Sequence, residues 1–529
     1  LGALALAAHG LDDETALAAT RERTCEQPLR WLQAAAGGIG RAWLVTQGAH
    51  GAAAPWQAPL WGLGRGFALE HPGRWGALVD LPADADAEAC AALLLRSLDA
   101  GDGEDQVAWR GGERQVLRLQ HDAAPPPARA QFDADATYLV TGGFGGLGLL
   151  AARWLVEHGA RHVALLGRHA DMDGEGVRAL REAGAEVIAL QGDVADETFL
   201  AGALQRLREK APPLRGVLHA AAALSAAPFS AIDDTQLRDM LRPKLAGSLL
   251  LERLTRDAGV EFLVLFSSST ALLGATGLAH YAAANAFLDA LALAADRPQR
   301  RVLAIDWGTW DAMRLASAES RRSYREGGLL PMPAADGFDA LARLLAAPRP
   351  QAMVAKIDWA ALKPLHEARR PRPLLEALGA APQPARAAAP RREAGPGLAE
   401  RLAALPAAMR HDTLVDFVRR EAAQVLGLAG DAEVPVATGL FDLGMDSLMS
   451  VELKRRLERG AGKPLPSTLT FNYPNVDALA RFLGGVLEPA AAPVAVAAAQ
   501  AEADLDAELD ALSDDELEAR LLARLEQAR

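Results

Sequence analysis

Short, nearly unbroken apolar runs alternate with longer stretches of helical periodicity through the middle of this chain. The runs are "TYLVT", "HVALLG", "EVIALQGD", "RGVLHAA", "FLVLFSS" and "RVLAIDW"; between them lie "LLAARWLVEHG", "GVRALREAG", "FLAGALQRLRE" and "NAFLDALALAAD". A continuous apolar run suits a strand buried on both faces. The pattern therefore predicts βαβ units and a doubly wound parallel sheet.

A fainter copy precedes it. "AWLVTQG" (42–48) parallels "TYLVTGG" (137–143), each a strand-like run closing on Thr and Gly. After Gly143 a glycine turn opens a helix at once, whereas after Gly48 a proline-containing stretch intervenes. The first copy predicts a structural Rossmann-like subdomain without a cofactor. From about Leu398 to Leu487 the periodicity is helical and strands are absent, which predicts a small bundle. Proline- and alanine-rich stretches at 121–130 and 379–397 read as linkers. The expected fold class is α/β: two Rossmann-like doubly wound subdomains, structural and catalytic, followed by a helical-bundle domain. The expected divisions are 1–130, 131–378, a linker at 379–397, 398–487, and a linker with an acidic helix at 488–529. In that tail Leu505, Leu509, Leu512, Leu517, Leu521 and Leu525 fall at helical spacing, and Ser513 with Glu516 forms a capping box. It reads either as a docking or dimer helix or as a frayed terminus.

The length, 529 residues, fits two to four domains. The net charge of −13 argues against a nucleic-acid binder, and ten acids against three arginines beyond Pro489 place about half of it in the tail. Two cysteines, Cys25 and Cys90, suit a reducing cytoplasm and leave no zinc-site spacing, so no metal is expected. No apolar run approaches the roughly 20 residues that span a bilayer. The opening "LGALALAAHG" has neither Met nor a basic region, and the chain reads as a piece of a longer polypeptide.

The turn after "TYLVT" carries the first chemistry. Thr141 and Gly142 close the strand, and Gly143-x-Gly145-x-x-Gly148 opens a helix. Such glycines allow positive φ, close approach of backbone to phosphates, and tight helix–strand packing, while the helix N-terminus offers free N–H groups. Arg168 follows the second strand, where an arginine suits the 2′-phosphate of NADP and an acid would suit NAD; the alternative is a solvated surface residue. Asp193, followed by Val194, ends the third strand, where it either meets the adenine or caps the next helix.

"FSSSTALLGATGLAHYAAANAFLDALA" (266–292) carries the second. It holds one of only four tyrosines in the chain. A ketone that accepts a hydride must also gain a proton, and a tyrosine can give one if its pKa is brought down from about 10. Tyr281 stands thirteen residues after Ser268 and one helical turn before Asn285. Ser267 and Ser269 flank the candidate serine, so an offset of one is open. The cation must come from elsewhere, and Lys244 lies in the preceding helical stretch.

These residues resemble the ketoreductase domain of a modular type I polyketide synthase, within the short-chain dehydrogenase/reductase family. The resemblance rests on Tyr281-x-x-x-Asn285 with Lys244 on the earlier helix, an exchange of the commoner Tyr-x-x-x-Lys arrangement. It implies that Tyr281 donates the proton, Ser268 orients the carbonyl, Lys244 tunes the phenol and Asn285 supports proton relay. Phe144, Gly145, Gly146 and Leu147 match the family's phosphate loop. His219 is given no chemistry. The aspartate pair and the tryptophan that mark the two product configurations are both absent; Leu273 stands in the tryptophan's place. The first segment resembles the non-catalytic half of such ketoreductases.

A further serine lies in "LFDLGMDSLMSVELKRRLE", where Ser447 begins an amphipathic stretch. The pattern alone also fits a helix N-cap. Together with "LPSTLTFNYPNVDALARFL" it resembles an acyl carrier protein, which implies that Ser447 carries a covalent 4′-phosphopantetheine arm installed by a phosphopantetheinyl transferase. Asp442, Asp446 and Glu452 would give the helix an acidic edge for partner enzymes. The combined expectation is NADPH-dependent reduction of a β-ketoacyl chain tethered to the carrier, alongside other polyketide synthase domains such as ketosynthase and acyltransferase. The alternative is a silent reductase that serves as scaffold.

Overall fold

The computed structural model describes residues 18, 21–50, 55–122, 124–312, 324–325, 327–378, 398, 402, 405–426, 434–441, 443, 445, 447–463, 465–466 and 469–487. The linker at 379–397 and the tail from 488, with its capping box, lie outside them.

The first lobe is built on a four-stranded sheet: β1 (Ala42–Gln47), β2 (Trp75–Leu81), β3 (Gln106–Arg110) and β4 (Glu113–Val116). They lie in the order 1-2-3-4. β1, β2 and β3 run parallel, as expected, but β4 turns back antiparallel on β3. The cause is local: Gly111 and Gly112 both take positive φ (56° and 82°), the two-residue hairpin that a Gly-Gly pair favours. Helix α1 (Pro59–Glu70) follows β1 and α2 (Ala87–Asp99) follows β2. A sheet in unbroken sequential order has no point where the strand order reverses, and dinucleotide crevices form at such points. Among the described residues the lobe keeps a core with Trp61, Trp75 and Trp109 buried and a strand order without such a reversal.

The middle lobe supplies that reversal. Its elements are β5 (Thr137–Thr141), α3 (Gly146–Glu157), β6 (His162–Gly167), α4 (Glu175–Glu182), β7 (Glu186–Gln191), α5 (Glu197–Lys210), β8 (Leu214–His219), α6 (Asp234–Leu241), α7 (Gly247–Thr255), β9 (Phe262–Ser268), α8 (Ala279–Ala295), β10 (Arg301–Trp307), α9 (Ala334–Leu345) and β11 (Gln351–Val354). The seven strands lie in the order 11-10-9-8-5-6-7, every neighbouring pair parallel. The order reverses between β5 and β8. A crevice therefore opens above their carboxyl ends, where the glycine turn leaves β5.

Helices α1 and α8 bind the two lobes. A Cβ added to Gly62 would sit 2.4 Å from the Ala282 carbonyl carbon, and one added to Gly66 would sit 2.4 Å from Ala279 Cβ. The glycine face of α1 thus lies directly on the alanine face of α8. This explains why the helix bearing Tyr281 is so rich in alanine: larger side chains there would hold the backbones apart.

An all-helical unit follows in the chain. α10 (Ala407–Val425) and α12 (Val476–Leu487) pack together, burying Leu414, Val418, Leu479 and Leu483. α11 (Ser447–Ala461) lies between them in sequence. No helix among the described residues is long and apolar enough to cross a membrane.

Candidate active site

The glycine turn is tightly packed on one side and open on the other. Gly142 takes φ +65°, so the left-handed position falls one residue before the glycine spacing read from the sequence. A Cβ at Gly148 would lie 2.1 Å from the Gly142 carbonyl oxygen; only hydrogen permits α3 to start this close to the strand. At Gly146, by contrast, the nearest atom to an added Cβ is 3.9 Å away. Gly145 is the N-cap of α3 and brings no capping side chain, so the first N–H groups of the helix have no side-chain acceptor there. A shallow open backbone cradle at a helix N-terminus fits a pyrophosphate. Phe144 packs beside Gly167, and Phe144 and Leu147 join the neighbouring core.

Thr141 and His219 close the floor of the crevice. They are register partners across β5 and β8, and Thr141 Oγ1 lies 2.7 Å from His219 Nδ1. His219 Nε2 lies 3.1 Å from the Pro243 carbonyl. A carbonyl only accepts, so Nε2 carries the proton and Nδ1 accepts from the threonine. Burial, then the Lys244 charge, pushes the His219 pKa down to about 3 and keeps the ring neutral. A residue given no chemistry from sequence thus ties the nucleotide turn to the residue preceding Lys244.

Arg168 stands exposed just beyond β6. Asp193 accepts from the Ala195 N–H and pairs with Arg242 Nε at 2.9 Å. It does not cap α5; Asp196 does, accepting from Phe199 N–H. Val194 is buried against the position of Gly247.

Tyr281, Ser268, Asn285 and Lys244 converge at the end of β9. Strand alternation settles the serine register: Ser267 is buried and donates to Asp306 Oδ1 at 2.7 Å and to the Asn285 carbonyl at 3.2 Å, while Ser268 points to the other face of the sheet. There it accepts from Thr270 Oγ1 at 3.0 Å. Burial raises the Tyr281 pKa, and hydrogen bonding towards Asn285 and Ser268 draws it back down. Asn285 Nδ2 donates to the Tyr281 carbonyl at 2.8 Å. Its Oδ1 is buried with no partner within bonding distance among the described residues, and an unpaired buried amide oxygen is costly.

Lys244 lies in a π-turn, Arg242–Ala246, which joins α6 to α7. The turn buries Lys244 and Leu245. Lys244 is 2% exposed. Its Nζ donates to the Phe266 carbonyl at 2.7 Å and lies 5.6 Å from the Tyr281 ring centroid. Burial lowers its pKa to about 7, while Asp289 and then Asp306 work to hold the charge. Sequence reasoning misses those two acids. A signal exists: Asp289 falls four residues after Asn285 in an alanine run, and Asp306 interrupts an apolar strand.

In the helical unit Ser447 is the first residue of α11. Asp442 and Asp446 lie outside the described residues. Glu452, expected on an acidic edge, is instead buried and paired with Arg455 at 3.1 Å.

Comparison with known proteins matches this arrangement. The KR domain family matches residues 136–312, the phosphopantetheine attachment site family matches 416–483, and the Rossmann fold domain of the polyketide synthase extender module SpnB matches 3–119. The chain is 38% identical over 458 residues to polyketide synthase GfsA of Streptomyces halstedii, covering 84% of this chain and 6% of that protein. It is 35% identical over 477 residues to the pikromycin polyketide synthase component PikAIII of Streptomyces venezuelae, covering 86% and 30%. A solved A-type ketoreductase from a modular polyketide synthase superposes with TM-score 0.62 at 37% identity, over 66% of this chain and 76% of that one. This chain belongs to the modular polyketide synthase family, as a segment that joins a ketoreductase to a phosphopantetheine carrier domain. It spans only a small part of the length of the curated relatives it matches.

Proposed function

We propose that this chain uses NADPH to reduce the β-keto group of an acyl thioester held on its own carrier domain. The observation that carries the reading is the convergence of Tyr281, Ser268, Lys244 and Asn285 beside a nucleotide turn. The reduced nicotinamide supplies a hydride to the β-carbon. Tyr281 gives its phenolic proton to the developing alkoxide, so the oxygen never stands as a free anion. Ser268 donates a hydrogen bond to the same oxygen and fixes the face presented. Lys244, beside the ring, stabilises the phenolate that remains. Asn285 Oδ1 accepts from a donor in the relay that restores the proton.

The cradle at Gly142–Gly148, with Thr141, Phe144 and Leu147, would hold the pyrophosphate. Arg168 would take the 2′-phosphate, and Asp193 with Val194 would lie on the adenine side. The exposure of Arg168 beyond the end of β6 supports this reading, because an exposed guanidinium there is within reach of a phosphate. Ser447 carries the 4′-phosphopantetheine arm, added by a phosphopantetheinyl transferase. A helix start favours the phosphodiester charge. The divisions at 1–130, 131–378, 398–487 and 488–529 are the working domains of this reading. Ketosynthase and acyltransferase domains of a cytoplasmic synthase supply and extend the chain.

The test is NADPH oxidation by the full chain with a soluble β-ketoacyl thioester, with the β-hydroxy product identified by mass. Turnover with that product supports the reading. NADPH binding without turnover would make this a silent reductase and scaffold.

A further inference from the structure

Two loops frame the way in to Tyr281. One, 220–228, leaves β8 at His219, on the floor of the crevice; the other, 274–278, runs directly into α8, in whose first turn Tyr281 lies. They are joined to each other. The Ala227 N–H donates to the Gly277 carbonyl at 3.0 Å, and Ser225 Oγ lies 3.4 Å from Nε2 of His280, the residue before Tyr281. The middle of the first loop is exposed at Ala222, Leu224, Ser225 and Ala226, whereas Ala227 and, just beyond the loop, Phe229 are buried.

The first lobe reaches both loops through one side chain. Glu70 is the last residue of α1 and is half-buried. Its Oε2 accepts from the Phe229 N–H at 2.7 Å, and its Oε1 from the Gly277 N–H at 3.0 Å. The same lobe fixes Phe229 in two further ways. Gln33 Nε2 donates to the Phe229 carbonyl at 3.0 Å and to the Ile232 carbonyl at 2.8 Å, and the Phe229 ring packs edge-on against Phe67, 5.2 Å between centroids. First-lobe side chains thus bond both polar backbone groups of Phe229.

An acid at the C-terminal end of a helix faces the unfavourable pole of its dipole. The packing of α1 on α8 needs no acid there, because glycines and alanines make that contact. A carboxylate supplies two acceptors on one rigid plane, and each takes a charge-assisted bond from a backbone N–H. Both donors lie in segments between strands and long helices, where a backbone N–H must find its partner outside a ladder. Gly277 takes φ +73°, the left-handed conformation that glycine adopts without strain, and it bonds Ala227 through its carbonyl and Glu70 through its N–H.

We infer that Glu70 is a positioning residue for the reduction: by holding the Phe229 and Gly277 N–H groups on one carboxylate, it sets the gap between the two loops and with it the face of the ketone turned to the hydride. The inference deepens the proposed reductase activity and rests on that reading. It gives the lobe without a nucleotide turn a task at the entrance to the site, in addition to its packing. Without the carboxylate the two loops move independently, and the substrate is held less tightly and in more than one orientation. The nucleotide turn at Gly142–Gly148 is built on other elements and keeps its affinity for NADPH.

The test uses the full chain as wild type, Glu70→Gln and Glu70→Asp. Glutamine keeps the shape but offers one acceptor oxygen to the two N–H groups. Amide hydrogen exchange, which needs no turnover, reads the Phe229 and Gly277 N–H groups. Both are expected to be protected in the wild type, and at least one to exchange about tenfold faster in Glu70→Gln. Where the chain turns over, Glu70→Gln raises KM for a soluble β-ketoacyl thioester about tenfold. It also raises the share of the minor alcohol configuration, with NADPH affinity unchanged. Unprotected amides at both positions in the wild type overturn the inference, and so does equal protection in wild type and Glu70→Gln. A lower kcat with KM and the ratio of alcohol configurations unchanged also overturns it, because a purely structural role reduces only the active fraction. If Glu70→Gln does not fold, Glu70→Asp, which draws the carboxylate back by one carbon, decides by the same measurements. Absence of turnover in the wild type, with the two amides protected and then released on substitution, would count against the reductase reading and leave the bridge between the loops standing.

Discussion

A phenol surrounded by apolar side chains is a weak proton donor, because burial disfavours the phenolate. Tyr281 meets that condition, and Ser268, Asn285 and Lys244 surround it with groups that favour the anion. Tyr281→Phe keeps the ring and the packing and removes only the hydroxyl. It is expected to lower kcat by roughly 10²–10⁴-fold while NADPH affinity, read by fluorescence titration, stays the same. Lys244 gives a pH signature. Its pKa is lowered from its ordinary value to about 7, so the ammonium is present below that pH and lost above it. The kcat of the wild type should decline as pH rises through about 7, and Lys244→Met should be slow and lack that decline. His219 works on stability instead. Its folded pKa, about 3, lies below the unfolded value. Its contribution is intact above the unfolded value near 6.5 and is lost as pH falls towards 3. His219→Asn keeps a donor and an acceptor but does not titrate there. Chemical unfolding at pH 7 and pH 5 should show a smaller acid loss in the variant than in the wild type.

At the scale of the helix, the packing of one lobe fixes the position of the other lobe's site residues. α8 carries Tyr281, Asn285 and Asp289 on successive turns, and its opposite needs are met by alanines that accept the glycine face of α1. Gly62→Val would force side-chain atoms into the Ala282 backbone. It is expected to cost about 1–3 kcal/mol or more of stability, measured by denaturant unfolding, and to slow reduction by shifting α8. Most of the elements are legible in sequence. Continuous apolar runs identify the parallel strands, and the strand–turn–helix context identifies the nucleotide loop. Tyr281, Ser268 and Asn285 are legible because a strand end and a helical turn fix their spacing locally. The antiparallel β4 escapes the pattern of apolar runs, although its Gly-Gly turn is in plain view. Asp289 and Asp306 are not legible as a pair, because burial, not spacing, makes them matter. Their proximity depends on the packing of α8 against β10, which no local pattern encodes.

At the scale of the whole chain, a reductase and a carrier share one polypeptide through the proline- and alanine-rich stretch at 379–397. In the proposed function, sharing one chain would make substrate delivery intramolecular, with an effective concentration of roughly millimolar. Ser447→Ala should block loading by a phosphopantetheinyl transferase, seen by intact mass, and leave reduction of a soluble thioester untouched. The sharpest test joins both ends of the account. The carrier is loaded with a β-ketoacyl-phosphopantetheine arm and mixed with NADPH deuterated at the transferring position, in wild type and in Tyr281→Phe. The account predicts deuterium on the β-carbon of the arm in the wild type within a single turnover, and a large loss of rate in the variant. Deuterium transfer at equal rates in both proteins, or none in either, would contradict it.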